Sequence, residues 1–143
     1  KELYVRGSAV RALDKEKLEV IFDLDKEEII KAPDSTLHFD IAERSEDSTT
    51  INFTYEDRLP KLYSKDGEEI NTGYFIFQHD IIDDRGELLE IASMSNYGAE
   101  PNEGVLRSGA ITIDTDKELQ GTITLRINDY PARIQEEFKV RIK

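Results

Sequence analysis

No cysteine occurs in the 143 residues, which removes disulfides, thiolate zinc sites and thiol nucleophiles together. The absence leaves the compartment open, because a reducing cytosol and a bacterial exterior that seldom uses disulfides both accept such a chain. Tryptophan is missing too, and with it the broadest ring on which a sugar can stack. Basic residues are scarce: 19 Lys and Arg stand against 31 Asp and Glu, a formal net charge of -12. Nucleic-acid binding depends on neutralising phosphates with cations, so this balance argues against it, and equally against docking on anionic lipid. The one concentration of cations is the closing "KVRIK", which alternates and reads as the outer face of a strand. Long apolar runs are absent as well. No stretch approaches the ~20 apolar residues of a membrane span, and no signal-peptide pattern is present, so this segment is not expected to insert into a membrane directly. The chain opens at Lys1 rather than methionine; we read it as a processed product or an excised segment, with targeting information lying elsewhere.

What the chain does have is period-two alternation. In "KLEVIFDL", Leu18, Val20, Phe22 and Leu24 share a face, and in "TLHFDIAE" Leu37, Phe39 and Ile41 do the same. "TTINFTYE" aligns Ile51, Phe53 and Tyr55; "GTITLRIND" aligns Ile123, Leu125 and Ile127; the closing segment aligns Ile134, Phe138, Val140 and Ile142. Such segments are half-buried strands. Residues 3–10 are ambiguous, offering Leu3, Val5 and Ala9 on one face or Tyr4 and Val10 on the other. "YFIFQHDI" is apolar on both faces as far as Phe77, and "ELLEIASM" and "GAITIDT" add further strands. Turn signals such as "APDS", "SKDG" and "DDRG" separate these segments at spacings near ten residues. Helix is nearly absent from the pattern, "DKEEIIK" with Asp25 as cap being the one candidate for a turn or two. Asp57 to Thr72 is the longest weakly patterned segment and reads as a crossover between sheets. No linker divides the chain, so residues 1–143 form one domain. A chain of this length buries roughly 70% of its unfolded surface and needs no metal to fold. The expected fold is all-β, an immunoglobulin-like or related Greek-key antiparallel β-sandwich of about eight to nine strands. Its expected core is Leu18, Val20, Phe22, Leu37, Phe39, Ile41, Ile51, Phe53, Phe75, Phe77, Ile123, Leu125, Ile127, Phe138 and Val140.

The densest chemistry is "HDIIDDRGE", residues 79–87. It lies between two strand-like segments, so residues 82–87 read as a hairpin connection with Gly86 at a positive φ. The D-x-[DN]-x-[DN]-G pattern of a calcium loop is absent here and at "DLDKEE" and "DTDKE"; a loose cation site at Asp83 and Asp84 is the alternative. His38 falls on the polar face of its strand, and His79 shares parity with Phe75 and Phe77, which suggests partial burial. Two histidines without cysteine make no zinc site unless carboxylates help. "RGSAV" and "RSGAI" lack the G-x-S-x-G elbow, and no phosphate-binding glycine loop occurs. No pair among the 31 carboxylates stands out for glycosidase-like work. Tyr63, Tyr97 and Tyr130 fall in or beside loops and are the rings available to a sugar, or else they plug the sandwich ends; Tyr55 and Tyr74 read as buried. The residues therefore assign no catalytic, cofactor-binding or metal-ligating position.

The order of parts, "LYVRGSAVRALDKEKLEVIFDLD", "TTINFTYE", "KLYSKDGEEI", the "DDRGE" turn and the closing "EEFKVRIK", resembles the immunoglobulin-like extracytoplasmic region of membrane-anchored, anti-sigma-factor-type proteins of Gram-positive bacteria. The resemblance implies a non-catalytic interaction module, outside the cytoplasm and tethered by a single-pass helix in the full-length protein. It would meet a protein partner at the cell envelope in sensing or assembly, without cofactors. A carbohydrate-binding or accessory sandwich of a cell-surface enzyme and a small carboxylate-dependent hydrolase are the competing readings. Oligomeric state does not follow from the sequence.

Overall fold

The computed structural model describes residues 2–7, 10–11, 13–57, 63–68, 75–97, 106–131, 133–134 and 138–143. Their regular structure is almost all strand: β1 Tyr4–Gly7, β2 Val10–Arg11, β3 Glu19–Asp23, β4 Glu28–Lys31, β5 His38–Arg44, β6 Ser48–Glu56, β7 Phe77–Ile82, β8 Leu88–Tyr97, β9 Leu106–Asp114, β10 Thr122–Ile127, β11 Arg133–Ile134 and β12 Phe138–Arg141. A single 3-10 turn at Lys15–Lys17 is the only helix among them. The "DKEEIIK" segment is not helical: Asp25 lies in a tight turn, and Glu28–Lys31 returns as β4 antiparallel to β3. Its apolar pair Ile29 and Ile30 is too short for a helical stripe, and the hairpin places Ile29 opposite Phe22 in the core.

Eight strands form one continuous antiparallel sheet in the order β4-β3-β10-β7-β8-β9-β6-β5. β8 belongs to both halves. Its first residues, Leu88 to Glu90, pair with β7, and Ile91 to Tyr97 pair with β9 after a register shift at Ala92. A bulge of this kind bends a strand, and here it lets the two halves of the sheet face each other. Ring contacts join them: Phe39 of β5 meets Phe22 of β3 at 5.2 Å and Phe77 of β7 at 5.8 Å, and Phe53 of β6 meets Phe77 at 5.3 Å. The architecture is thus sandwich-like. The connection from β6 to β7 joins opposite halves, as the crossover reading of residues 57–72 requires, although much of that segment lies outside the described residues.

Alternating strands fill the space between the halves. Val20, Phe22, Leu37, Ile51, Phe53, Tyr55, Phe77, Ile123, Leu125 and Ile127 are buried as their parity requires, with Phe39 and Ile41 partly buried against them. Gly109 is part of this arrangement. It pairs directly with Phe53, and a Cβ there would overlap both the Phe53 ring and the Ser95 carbonyl.

Three expected core residues are instead exposed: Leu18, Phe75 and Val140. Leu18 precedes β3, at the end of the 3-10 turn, where the strand parity that buries Val20 has not begun. Phe75 likewise lies ahead of β7. Val140 is in a strand paired with β1, and its side chain is 51% exposed there. The side chains of Phe138, Tyr74 and Tyr97 lie outside the described residues. His79 is exposed rather than part-buried, its ring lying 6.1 Å from Phe75. The cause is a register shift: Ile127 faces Phe77 while Leu125 faces Ile81. Four residues of β7 therefore span two of β10, and Phe77 and Ile81 point inward while the residue between them turns out.

Candidate interaction surface

The acidic stretch at 79–87 folds as a closed hairpin turn. Asp83 N–H donates to the Glu87 carbonyl at 2.9 Å, Gly86 N–H donates to the Asp83 carbonyl at 3.1 Å, and Gly86 takes φ 79°. The Asp83 carboxylate is turned into this loop. Its Oδ1 accepts the backbone N–H groups of Arg85 at 2.9 Å and Glu87 at 2.8 Å, and its Oδ2 meets the Arg85 guanidinium at 3.2 Å. Burial of the carboxylate pushes its pKa up, but the Glu87 and Arg85 N–H donors and the Arg85 cation outweigh this and hold it below the usual range. Asp84 points away, against Gly121. The pair therefore does not converge on a common point. The described residues contain no group of three or more His, Asp or Glu placed to hold a metal ion.

Beside this turn, Arg44 at the end of β5 ties the two halves together. Its Nε and Nη2 donate to the Leu119 carbonyl at 3.0 and 2.6 Å, and Nη1 donates to the Leu24 carbonyl at 3.2 Å. Nη2 also meets Asp25 at 2.6 Å, and Nε lies 3.3 Å from Glu118. Asp25 in turn accepts the Gly121 N–H at 2.9 Å. Arg44 and Gly121 hold the Asp25 pKa low, the guanidinium hydrogen bond being the larger cause. These contacts span the seam between β4 and β5, the two ends of the bent sheet. Every partner is satisfied locally, so the cluster is a clasp.

Among the described residues, Tyr63 and Tyr130 do not form a sugar-stacking pair. Tyr63 is exposed, but Tyr130 is buried, its ring 5.7 Å from Tyr55 and its hydroxyl donating to Asp34 at 2.9 Å. Burial pushes its pKa far up. Tyr130 is a plug at the sandwich end.

The feature that remains is made by the two ends of the chain. β1 pairs with β12 in a two-stranded ribbon, Tyr4 opposite Arg141 through Gly7 opposite Phe138, and β2 pairs with β11 as a second two-stranded sheet. The backbone pairing extends outward, Leu3 N–H donating to the Lys143 carbonyl at 2.7 Å and Ile142 N–H to the Leu3 carbonyl at 2.9 Å. Opposed residues share a face. One face carries Val5 against Val140 and Leu3 beside Ile142; the other carries Tyr4, Arg6, Lys139 and Arg141. On the polar face Lys139 sits 4.0 Å from the Tyr4 ring centroid and Arg141 lies 3.2 Å from Glu2. The aliphatic face is uncovered: Leu3, Val5, Val140 and Ile142 are 42, 46, 51 and 61% exposed. Alternation in "KVRIK" and "ELYVR" signals both strands, but nothing local says that they pair with each other.

Comparison of the chain with protein-family models, with curated proteins and with solved structures found no match.

Proposed function

We propose that this domain is a non-catalytic, extracytoplasmic interaction module with immunoglobulin-like, Greek-key wiring, the outer region of a membrane-anchored anti-sigma-type regulator. The observation that carries the interaction reading is the aliphatic face of the terminal ribbon. Four large side chains exposed side by side on a two-stranded ribbon are the kind of contiguous apolar patch that binding surfaces use. The wiring is supported by the strand order β10-β7-β8-β9, in which three sequential strands are followed by a fourth lying beside the first. The extracytoplasmic and regulatory parts rest on the resemblance of the strand and turn segments alone.

The test uses the full-length protein in its own cells. A photo-crosslinking residue in place of Val140 is expected to give a discrete protein adduct, and the same residue in place of exposed Glu68 is expected to give none. Equal labelling from both positions overturns the interaction reading. Deleting residues 1–143 is expected to change transcription from a promoter that depends on the cognate sigma factor; an unchanged reporter overturns the regulatory part.

A further inference from the structure

The outer face of the β4-β3-β10-β7-β8 half carries a second apolar feature. Leu88 faces Ile82, Ile82 faces Thr124, Thr124 faces Ile21, and Ile30 bulges out at the end of the row beside Lys31, the partner of Ile21. Leu88 and Ile30, at its two ends, are 66 and 62% exposed. With neighbouring strands about 4.8 Å apart, the row crosses five strands over roughly 19 Å. It is flanked by acids: Glu90, Asp80 and Glu19 on one side, Asp23 and Glu28 on the other. Arg126, near Asp80, and Lys31, near Glu19, offset only part of that charge.

The ribbon is opposite to this surface in charge. Residues 1–11 and 133–143 together carry seven basic and three acidic side chains, while the other 121 residues carry twelve basic and 28 acidic. The cationic part of an otherwise strongly acidic chain is therefore the part that presents an uncovered aliphatic strip. Within one molecule the ribbon makes its strand contacts with its own two arms.

We propose that the aliphatic face of the terminal ribbon docks in trans on the Leu88–Ile30 row of a second copy of this chain. The inference rests on the interaction-module reading and names the partner. Val5, Val140, Leu3 and Ile142 cover the row, and the cations on the ribbon's far face draw it toward the acidic flanks through the long-range field rather than by contact pairs. A patch of four aliphatic side chains falls below the roughly 1,200 Å² at the low end of stable interfaces. The association is therefore weak and concentration-dependent. Two different patches meet, so the contact is heterologous, and the proposal takes the open-ended arrangement in which the rotation between copies does not close. Each added copy leaves one ribbon and one row free.

Sedimentation of the purified domain over a concentration series reaching about 1 mM tests this, at low and at high sodium chloride because salt screens the attraction. The expected result is a weight-average mass that climbs past that of a dimer at low salt and falls back at high salt. Val5→Thr with Val140→Thr keeps the strand propensity and removes the aliphatic strip; Ile30→Thr with Leu88→Thr does the same to the row. All four positions are exposed, so both variants are expected to fold, and thermal melts are the check. Each variant alone is expected to stay monomeric. An equimolar mixture is expected to form a dimer and stop there, since the intact row of one meets the intact ribbon of the other. A monomeric wild type, a variant that still polymerises, or a mixture that stays monomeric overturns the proposal. A monomeric wild type together with a Val140-specific adduct to a different protein would overturn self-association while leaving the interaction module standing; without such an adduct both fall.

Discussion

Arg44→Ala is the perturbation that asks most of the fold, because one side chain reaches across the seam where the bent sheet fails to close. The guanidinium supplies the hydrogen bonds to the Leu119 and Leu24 carbonyls, and both lose that donor when it is removed. A hydrogen bond from a charged donor contributes about 1.5–3 kcal/mol, and the two share one side chain, so they do not simply add. The ion pairs with Asp25 and Glu118 involve half-exposed carboxylates and contribute little beyond this after solvent screening. The expected loss is about 2–4 kcal/mol. With a urea slope of about 2 kcal/mol per molar, that lowers the unfolding midpoint by about 1–2 M. Arg44→Lys is expected to recover less than half of it, because an ammonium lacks the planar fork that serves two carbonyls at once. Asp25 adds a pH signature. Its folded pKa lies below the unfolded value of about 4, so the stability it contributes is present above pH ~4 and is lost as pH falls through the folded pKa. Without Arg44 the larger cause of that depression is gone, and the acid-side slope of stability should flatten. A loss under about 1 kcal/mol, or a lysine variant as stable as the parent, would refute the clasp, since either means that the two carbonyls do not depend on the guanidinium.

Phe53→Ala should cost about 3–5 kcal/mol in urea unfolding, since the ring is fully buried between Phe77, Tyr55 and Gly109; Gly109→Ala should be comparably damaging because its Cβ would collide with backbone as well as with the ring. Thr49→Val should stabilise by about 1 kcal/mol, because the Thr49 hydroxyl is buried on the core face with no partner among the described residues; a destabilised variant in thermal melts would show that the hydroxyl is satisfied. Tyr130→Phe should cost about 1 kcal/mol through the bond to Asp34. The raised folded pKa of Tyr130 predicts stability that is intact below the unfolded value of about 10 and lost as pH rises beyond it, a loss that the phenylalanine variant should lack. Millimolar calcium should raise the melting temperature no more than sodium chloride at matched ionic strength, because the Asp83 carboxylate is taken up by its own turn and Asp84 points at Gly121. A calcium-specific rise abolished by Asp83→Asn with Asp84→Asn would show a binding loop instead.

Alternation made most of this molecule legible before its structure. Val20, Phe22, Ile51, Phe53, Ile123 and Leu125 face inward because their strands each have one partner sheet and an unbroken pleat. The misreadings at His79 and Val140 share one cause, whereas Leu18 and Phe75 simply lie ahead of their strands. Parity states which side chains share a face, but whether another layer covers that face is decided by residues far away in the chain. At His79 the parity was right locally and was broken by Leu125 and Ile127, which sit nearly fifty residues later and take four residues of β7 for two of their own. At Val140 the parity was right throughout. Val140 and Val5 do share an apolar face, as their alternating strands require, and that face is exposed where the two ends of the chain pair with each other. The acidic turn was legible for the opposite reason. Asp83, Arg85, Gly86 and Glu87 satisfy one another within five residues, so nothing distant could overrule them. Local chemistry is readable where the partners are local. On the ribbon the partners of each strand lie at the opposite end of the chain, so alternation alone leaves the exposure of Val5 and Val140 undecided.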